Sequence, residues 1–357
     1  GLGEVEQAIT LFEQVIAKNN SAADVYLQFA HALKAKGDIN QAVTAYQQAY
    51  QLKPECGDAY WSLANTKTYR VSDEEIAAMQ KELAANKLAF TDQVQLHFAT
   101  GKAFEDRQEY KQAFQAYQQG NNLQHARNGF DIKKIEQQVD EQIKYCTAEL
   151  FSRRGHLGLN APDPIFIVGL PRAGSTLLEQ ILASHSQVDG TNILGLASRL
   201  RGNNHVANNT KSQYPKNLSI INESYFKRFG QQFIDETQAY REQAPLFIDK
   251  MPNNYRHLGY IAAAFPDSVI INVDRDPRDV ALSMWRKSFS SDGMAYTNDQ
   301  RLMAAETNRY RKYLNHWTNR FEAGRIYSVC YEELVADFEG QVRRIADASR
   351  LKWDPAM

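Results

Sequence analysis

Ile165-Phe166-Ile167-Val168-Gly169-Leu170-Pro171-Arg172-Ala173-Gly174-Ser175-Thr176-Leu177-Leu178 reads as a strand, a tight turn and the start of a helix. Four apolar residues in a row suit a buried strand. Gly169 and Gly174 bracket a short loop. Ser175 and Thr176 then open an amphipathic stretch with Leu177, Leu178, Ile181 and Leu182 on one side. Such a loop lets backbone N–H groups and a helix N-terminus converge on an anion.

The spacing resembles a nucleotide-binding P-loop, with Ser175 standing where G-x-x-x-x-G-K-[ST] requires lysine. That lysine reaches the β and γ phosphates of a triphosphate. Its replacement points to a shorter anionic group, gripped by Arg172, whose planar fork suits a tetrahedral oxyanion. On the loop alone, an ordinary strand-to-helix turn with glycines for tightness stays open.

Composition narrows the classes. Among 357 residues, 41 Lys and Arg nearly balance 42 Asp and Glu, so no basic field argues for nucleic acid or an anionic membrane surface. The length suits two domains, and 43% hydrophobic residues support packed cores. No apolar run approaches the ~20 residues of a spanning helix. Cys56, Cys146 and Cys330 are few, distant and odd in number, which gives neither a disulfide framework nor zinc spacing. A reducing, cytoplasmic compartment is the default, with no metal expected. His31, His97 and His125 are isolated in helical sequence and read as packed or surface residues.

Residues 1–150 are rich in Ala, Gln, Leu and Tyr and repeat with a period of 34. Gly3 pairs with Gly37, Ala8 with Ala42, Phe12 with Tyr46, Tyr26 with Tyr60, and Ala30 with Ala64. Small residues at Ala30 and Ala42 allow close helix approach, Gly37-Asp38 makes the turn, and Pro54 stops the second helix. The pattern resembles the tetratricopeptide repeat. Gly101, Phe104, Tyr110, Ala113 and Tyr117 fit a later unit, displaced by an insertion that blurs the register around Val71–Met79. Gly3 falls at an inter-helix turn, so the first repeat lacks its first helix and the array is expected to be truncated at its N-terminus. A long helix over 130–152 closes the array. Two glycines and two prolines between Arg154 and Pro164 mark a boundary, giving domains at 1–152 and 153–357.

Beyond 165, strand candidates at 165–168, 246–248, 269–273 and 326–330 alternate with helical stretches, the signature of a parallel α/β sheet. The fold class is therefore an all-α repeat solenoid followed by a P-loop-like α/β domain. Ligands of parallel sheets bind at the carboxyl ends of the strands. Three such ends carry chemistry: the Gly169–Thr176 loop, Asp249-Lys250-Met251-Pro252, and Asp274-Arg275-Asp276-Pro277-Arg278-Asp279 running on to Ser283. Arg275 and Ser283 can meet at one phosphate, or the alternating charges can simply pair with each other.

Together these ends resemble the sulfotransferase superfamily that uses 3′-phosphoadenosine-5′-phosphosulfate (PAPS). Its P-R-S-G-T-T motif corresponds to Pro171–Thr176, and its R-D-P-R-D followed by serine corresponds to Arg275–Asp279 and Ser283. The likeness covers about residues 160–340. A tetratricopeptide array ahead of it resembles a bacterial architecture, and the catalytic half is similar to the tyrosylprotein sulfotransferases. The resemblance implies that Arg172, Ala173, Gly174, Ser175, Thr176 and Leu177 hold the 5′-phosphosulfate, that Arg275 and Ser283 hold the 3′-phosphate, and that Lys250 lies near the scissile bond with Arg172. It implies a hydroxylated acceptor, either a protein or peptide brought by the repeats or a small molecule.

Two departures stand out. Relatives carry a glutamate base in a G-x-G-E-L-like stretch, where this chain has Gly190-Thr191-Asn192-Ile193-Leu194; Ile193 cannot accept a proton. His185 and Asp189 are the nearby substitutes, although His185 also lies where a helix end needs a cap. Relatives also continue beyond Tyr331-Glu332-Glu333-Leu334 with a covering segment, so the catalytic domain is expected to lack a C-terminal tail. A non-catalytic nucleotide-binding scaffold and a kinase-like P-loop enzyme are the alternative readings.

Overall fold

A computed structural model of the chain describes residues 2–85, 87–147, 149, 150, 158–160, 164–191, 216, 223–289, 292–322 and 324–357. The helical half folds as its period requires. Helices Ala23–Lys36 and Ile39–Leu52 are joined by Gly37-Asp38. Gly37 adopts φ +94°, and its N–H closes on the Leu33 and Lys34 carbonyls. Asp38 caps the next helix by accepting the Gln41 N–H. Ala30, Ala42, Ala49 and Tyr46 are all buried where the two helices meet. The Tyr46 hydroxyl lies 2.9 Å from His31 Nδ1, which places His31 as a packing partner.

Helix Leu2–Lys18 ends one period before Leu52, so it is the second helix of its repeat; it already runs through Gly3, which is helical and not the turn that the period assigns to it. Gly57–Ala64 is a shortened first helix that packs on Phe90–Asp106. Asp73–Ala85 lies between them in sequence, one period after Ile39–Leu52, and packs Ile76 and Met79 with Tyr60, Ala64 and Leu96; the register slips by three residues only after it. Phe90–Asp106 and Tyr110–Arg127 form the last pair. Gly101 is needed there, because a Cβ would stand 2.7 Å from the Tyr117 ring. Helix Asp73–Ala85 is anchored by Glu75. Its buried carboxylate accepts the hydroxyls of Tyr50 at 2.7 Å and Tyr69 at 2.6 Å, and the Ser72 N–H at 2.8 Å. Burial and the Glu75 bond push both tyrosine hydroxyls well above their usual range.

The chain divides into two compact units, Gly1–Phe130 with Trp285–Leu302, and Asp131–Met284 with Met303–Met357. These differ from the 1–152 and 153–357 division in two ways. Helix Ile132–Tyr145 belongs to the second unit, where Tyr313 bonds Gln142, Lys312 meets Asp140 at 2.9 Å, and Cys146 packs beside Gly259. Segment 285–302 belongs with the repeats. Asn121 donates to the Trp285 carbonyl at 2.9 Å, Gln124 to Ser288 at 2.8 Å, Arg286 pairs with Glu105, and Phe114 stacks on Trp285.

The second unit is built on a parallel sheet. Its strands are β1 (Pro164–Gly169), β2 (Val188–Gly190), β3 (Leu246–Lys250), β4 (Val269–Asp274) and β5 (Ile326–Cys330), in the order β2-β3-β1-β4-β5. Every pairing is parallel. All six residues of β1 are buried, as a central strand covered on both faces requires. Ile167 pairs with Lys250 of β3, and Gly169 with Val273 of β4, so the ends of these three strands lie side by side. β2 is the strand that the sequence did not announce; three residues leave no run to read.

Glu75→Ala should remove the acceptor shared by Tyr50 and Tyr69 and destabilise the first unit by about 2 kcal/mol. Thermal unfolding followed by circular dichroism measures this; an unchanged midpoint would refute the anchoring role.

Candidate functional site

Glycine geometry shapes the loop between β1 and helix Ser175–Ala183. Gly169 has φ +151°, and a Cβ there would lie 2.6 Å from the Val273 carbonyl of β4. Gly174 has φ +113°, and a Cβ would lie 2.4 Å from the Tyr331 ring. Arg172, which is not glycine, holds φ +72°. A left-handed arginine costs backbone energy and persists only where its surroundings fix it. Its Nε donates to Ser283 Oγ at 3.0 Å, and its carbonyl accepts from Arg275 at 3.5 Å. Ala173 and Ser175 are buried, while Arg172 and Thr176 face solvent. The loop thus turns an arginine, a threonine and the start of a nine-residue helix outward together.

Arg275 follows β4. It pairs with Asp279 at 3.3 Å and lies over the Tyr331 ring at 4.5 Å, while its Nε is buried with no hydrogen-bond partner among the described residues. Tyr331 therefore braces both Gly174 and Arg275. The neighbouring Glu332 accepts the Asp276 N–H at 3.0 Å, and that bond holds its carboxyl below the usual range. Asp276 itself is turned to Arg278 at 2.8 Å, so charge pairing along this helix start is real, and Arg275 and Ser283 still meet the loop.

Lys250 closes β3 beneath the loop. Its ammonium is 3.2 Å from Glu179 Oε2 and 3.5 Å from Thr176 Oγ1. Both members of the pair are almost fully enclosed, at 8% and 2% exposure. Asp249, next to Lys250, is completely buried and receives a long 3.5 Å bond from Asn254. Burial, and then the charge of Glu179, raise the Asp249 carboxyl to about 7.

The substitutes for a base are otherwise engaged. The Gln187 N–H donates to His185 Nδ1 at 3.0 Å, and Nε2 lies 3.0 Å from the Lys352 carbonyl. With Nδ1 accepting and Nε2 beside a carbonyl, the ring ties a helix end to the C-terminal segment. Asp189 accepts the N–H groups of Glu242 and Ala244. Ile193 lies outside the described residues.

The arrangement presents two arginines, a lysine and a helix N-terminus at adjacent strand ends, which suits an anion with more than one charged group. A model of the sulfotransferase family matches residues 164–355, more than half of the chain. The chain belongs to the sulfotransferase family.

A tetratricopeptide-repeat model matches residues 1–66 ahead of the sulfotransferase domain. An uncharacterised protein of Aquifex aeolicus is 26% identical over 337 residues, covering 92% of this chain and 44% of its own length. A putative protein-tyrosine sulfotransferase of Caenorhabditis briggsae is 29% identical over 200 residues, covering 56% of this chain and 69% of its own. Protein-tyrosine sulfotransferase A of Caenorhabditis elegans is 26% identical over 225 residues, covering 60% and 57%. The chain thus spans about half the length of the Aquifex and Caenorhabditis elegans relatives. Among solved structures, the sulfotransferase domain of the curacin biosynthetic pathway aligns with TM-score 0.39 and 19% identity, over 55% of this chain and 77% of that one.

The structure gathers Arg172, Gly174, Ser175, Thr176, Lys250, Arg275 and Ser283 at one set of strand ends and places His185 at a helix terminus. Leu177 is half-buried one residue beyond Thr176, and Ala173 packs inward. Glu179 and Tyr331 are the site residues that motif reading passes over. Glu179 had one signal, a charge flanked by Leu178, Ile181 and Leu182.

The raised Asp249 carboxyl fixes a pH dependence. The folded state binds its proton more tightly than the unfolded state, so this stabilising contribution is complete below the unfolded value and declines as pH rises to about 7. Relative to Asp249→Asn, wild-type stability should fall by about 1.4 kcal/mol per pH unit from pH 5 to 7 and level off above. Parallel urea titrations of the two proteins measure it; a flat difference across that range would refute the assignment.

Proposed function

We propose that the chain transfers a sulfuryl group from PAPS to a hydroxyl acceptor, with a tyrosine of a protein or peptide as the acceptor class. The observation that carries this reading is the meeting of Arg172, Ser283 and Arg275 around the Gly169–Thr176 loop. A donor with phosphates at two ends needs two cationic subsites. The loop and Arg172 supply one for the 5′-phosphosulfate; Arg275 and Ser283 supply the other for the 3′-phosphate. The buried Arg275 Nε, which has no hydrogen-bond partner among the described residues, and the glycine cradle beneath Tyr331 fit such a ligand.

Sulfuryl transfer is an in-line displacement with charge spread over equatorial oxygens, so positioning and electrostatics do most of the work. When bound, PAPS supplies the activated sulfuryl group. Lys250, held beside Thr176, stabilises negative charge developing on the departing phosphate side. Arg172, fixed in its left-handed conformation, orients the group being transferred. The acceptor hydroxyl proton must leave to a base.

The repeat helices offer the type of surface on which such arrays bind polypeptides, which supports a protein acceptor. The Caenorhabditis relatives named as protein-tyrosine sulfotransferases support the tyrosine assignment. No helix among the described residues is long and apolar enough to cross a membrane. The free cysteines, two of them buried, fit a reducing, cytoplasmic setting. The engagement of both His185 nitrogens and of Asp189 favours, as a second reading, a donor-binding scaffold without turnover.

Adenosine 3′,5′-bisphosphate should bind in calorimetry, with Arg275→Ala weakening it by roughly tenfold or more, as expected for loss of a charge-assisted contact. Equal affinity for the nucleotide lacking the 3′-phosphate would refute the two-subsite reading. Sulfate transfer from PAPS to tyrosine peptides should fall by about a hundredfold or more in Lys250→Ala, the scale of losing one transition-state donor. Donor binding without any transfer would establish the scaffold.

A further inference from the structure

Glu179 is a buried charge that the proposed chemistry does not use. It sits one turn into the helix that the loop opens, 2% exposed, with Oε2 on the Lys250 ammonium and Oε1 buried with no hydrogen-bond partner among the described residues. Enclosing a charged carboxylate carries a large desolvation cost, which a counter-ion offsets. Lys250 is that counter-ion, and the same ammonium stands 3.5 Å from Thr176 Oγ1 at the loop. One ammonium thus lies between a fixed internal anion and the place where an external anion would bind.

We propose that anion binding at the Gly169–Thr176 loop is coupled to proton uptake by Glu179, because the incoming phosphate and Glu179 compete for Lys250. As the ammonium moves toward the phosphate, Glu179 loses its partner in a dry site. It then takes one proton from solvent on a carboxylate oxygen, and the net charge of the enclosed pair changes by one unit. Glu179 acts through Lys250, so it is a positioning residue: at rest it parks the ammonium under the loop, and when protonated it releases it.

Among the described residues, the elements packed on the Glu179 helix leave few other candidates for this proton. β1 contributes no titratable side chain. β2 contributes Asp189, already bonded to two N–H groups. The end of its own helix leads to His185, held at both nitrogens. β3 contributes Lys250 and Asp249. Asp249, raised to about 7 by burial and by the charge of Glu179, is the group to control for.

The inference rests on the loop being the donor's phosphate site, and calorimetry separates the two ideas. Adenosine 3′,5′-bisphosphate is titrated into the full chain at pH 7.5 in two buffers of different ionisation enthalpy. The wild type should take up about half a proton or more per site beyond Glu179→Gln, a difference that cancels the ligand's own ionisation. Asp249→Asn should retain the uptake. Glu179→Gln should also bind the bisphosphate roughly three- to tenfold more tightly, since a competing charge is gone. Wild-type affinity alone gives a second measurement that needs no variant: it should fall from pH 7 to 9, where the ligand phosphates are fully ionised. Binding with no proton uptake, uptake equal in Glu179→Gln, uptake abolished only in Asp249→Asn, or affinity independent of pH would each overturn the proposal. Absence of wild-type binding would instead refute the donor site itself.

Discussion

Everything at the site depends on β1 being paired on both edges. Because β3 and β4 flank it in parallel, three loops that are far apart in sequence leave the sheet in the same direction and at the same level. The pairing is tight enough at its last residue that only glycine fits against the Val273 carbonyl. A side chain at 169 would separate β1 from β4 where Arg172 and Arg275 must approach each other. The sheet supplies the geometry, and the arginines merely occupy it.

A second theme is the concentration of charge in enclosed space. Glu306, almost fully buried, is met by Tyr255, Arg256 and Arg309. Asn272 of β4 accepts from Tyr310. Glu179, Lys250 and Asp249 form a further group at the strand ends. Buried ions of this kind rarely add stability over apolar packing, but removing one partner is costly. The first group gathers three polar partners, Tyr255, Arg256 and Arg309, around one carboxylate. The second has fewer hydrogen bonds per charge: one carboxylate oxygen on each of Glu179 and Asp249 has no hydrogen-bond partner among the described residues.

Much of this was legible in the residues. Four strands read as apolar runs ended by a turn residue or charge, and the repeat period aligns Ala30, Ala42 and Tyr46, all of them buried. The loop, Lys250, Arg275 and Ser283 were legible because strand ends in parallel sheets converge. What was hidden was hidden for physical reasons. β2 owes its conformation to the β3 edge, not to its own composition. Helix Ile132–Tyr145 reads as amphipathic whichever unit it joins, and only the Gln142–Tyr313 and Asp140–Lys312 contacts decide. Glu179 looks like a surface residue in a short helix until Lys250, 71 positions later, is seen beside it. His185 has the intrinsic chemistry of a base, yet backbone groups take both its nitrogens, and no sequence rule reports that.

Segment 285–302 carries a consequence for how the molecule is made. The chain enters the repeat unit, leaves it at Phe130, builds most of the sheet, returns at Trp285 and departs again after Leu302. The repeat unit therefore cannot be completed as it emerges from the ribosome. Phe114 waits for Trp285, Glu105 for Arg286, and Asn65 for Lys287 until more than half the polypeptide beyond them has been synthesised. No single cut of the chain yields both units whole. The contacts that complete the repeat unit are thus made by a segment that the ribosome delivers only after most of the sheet.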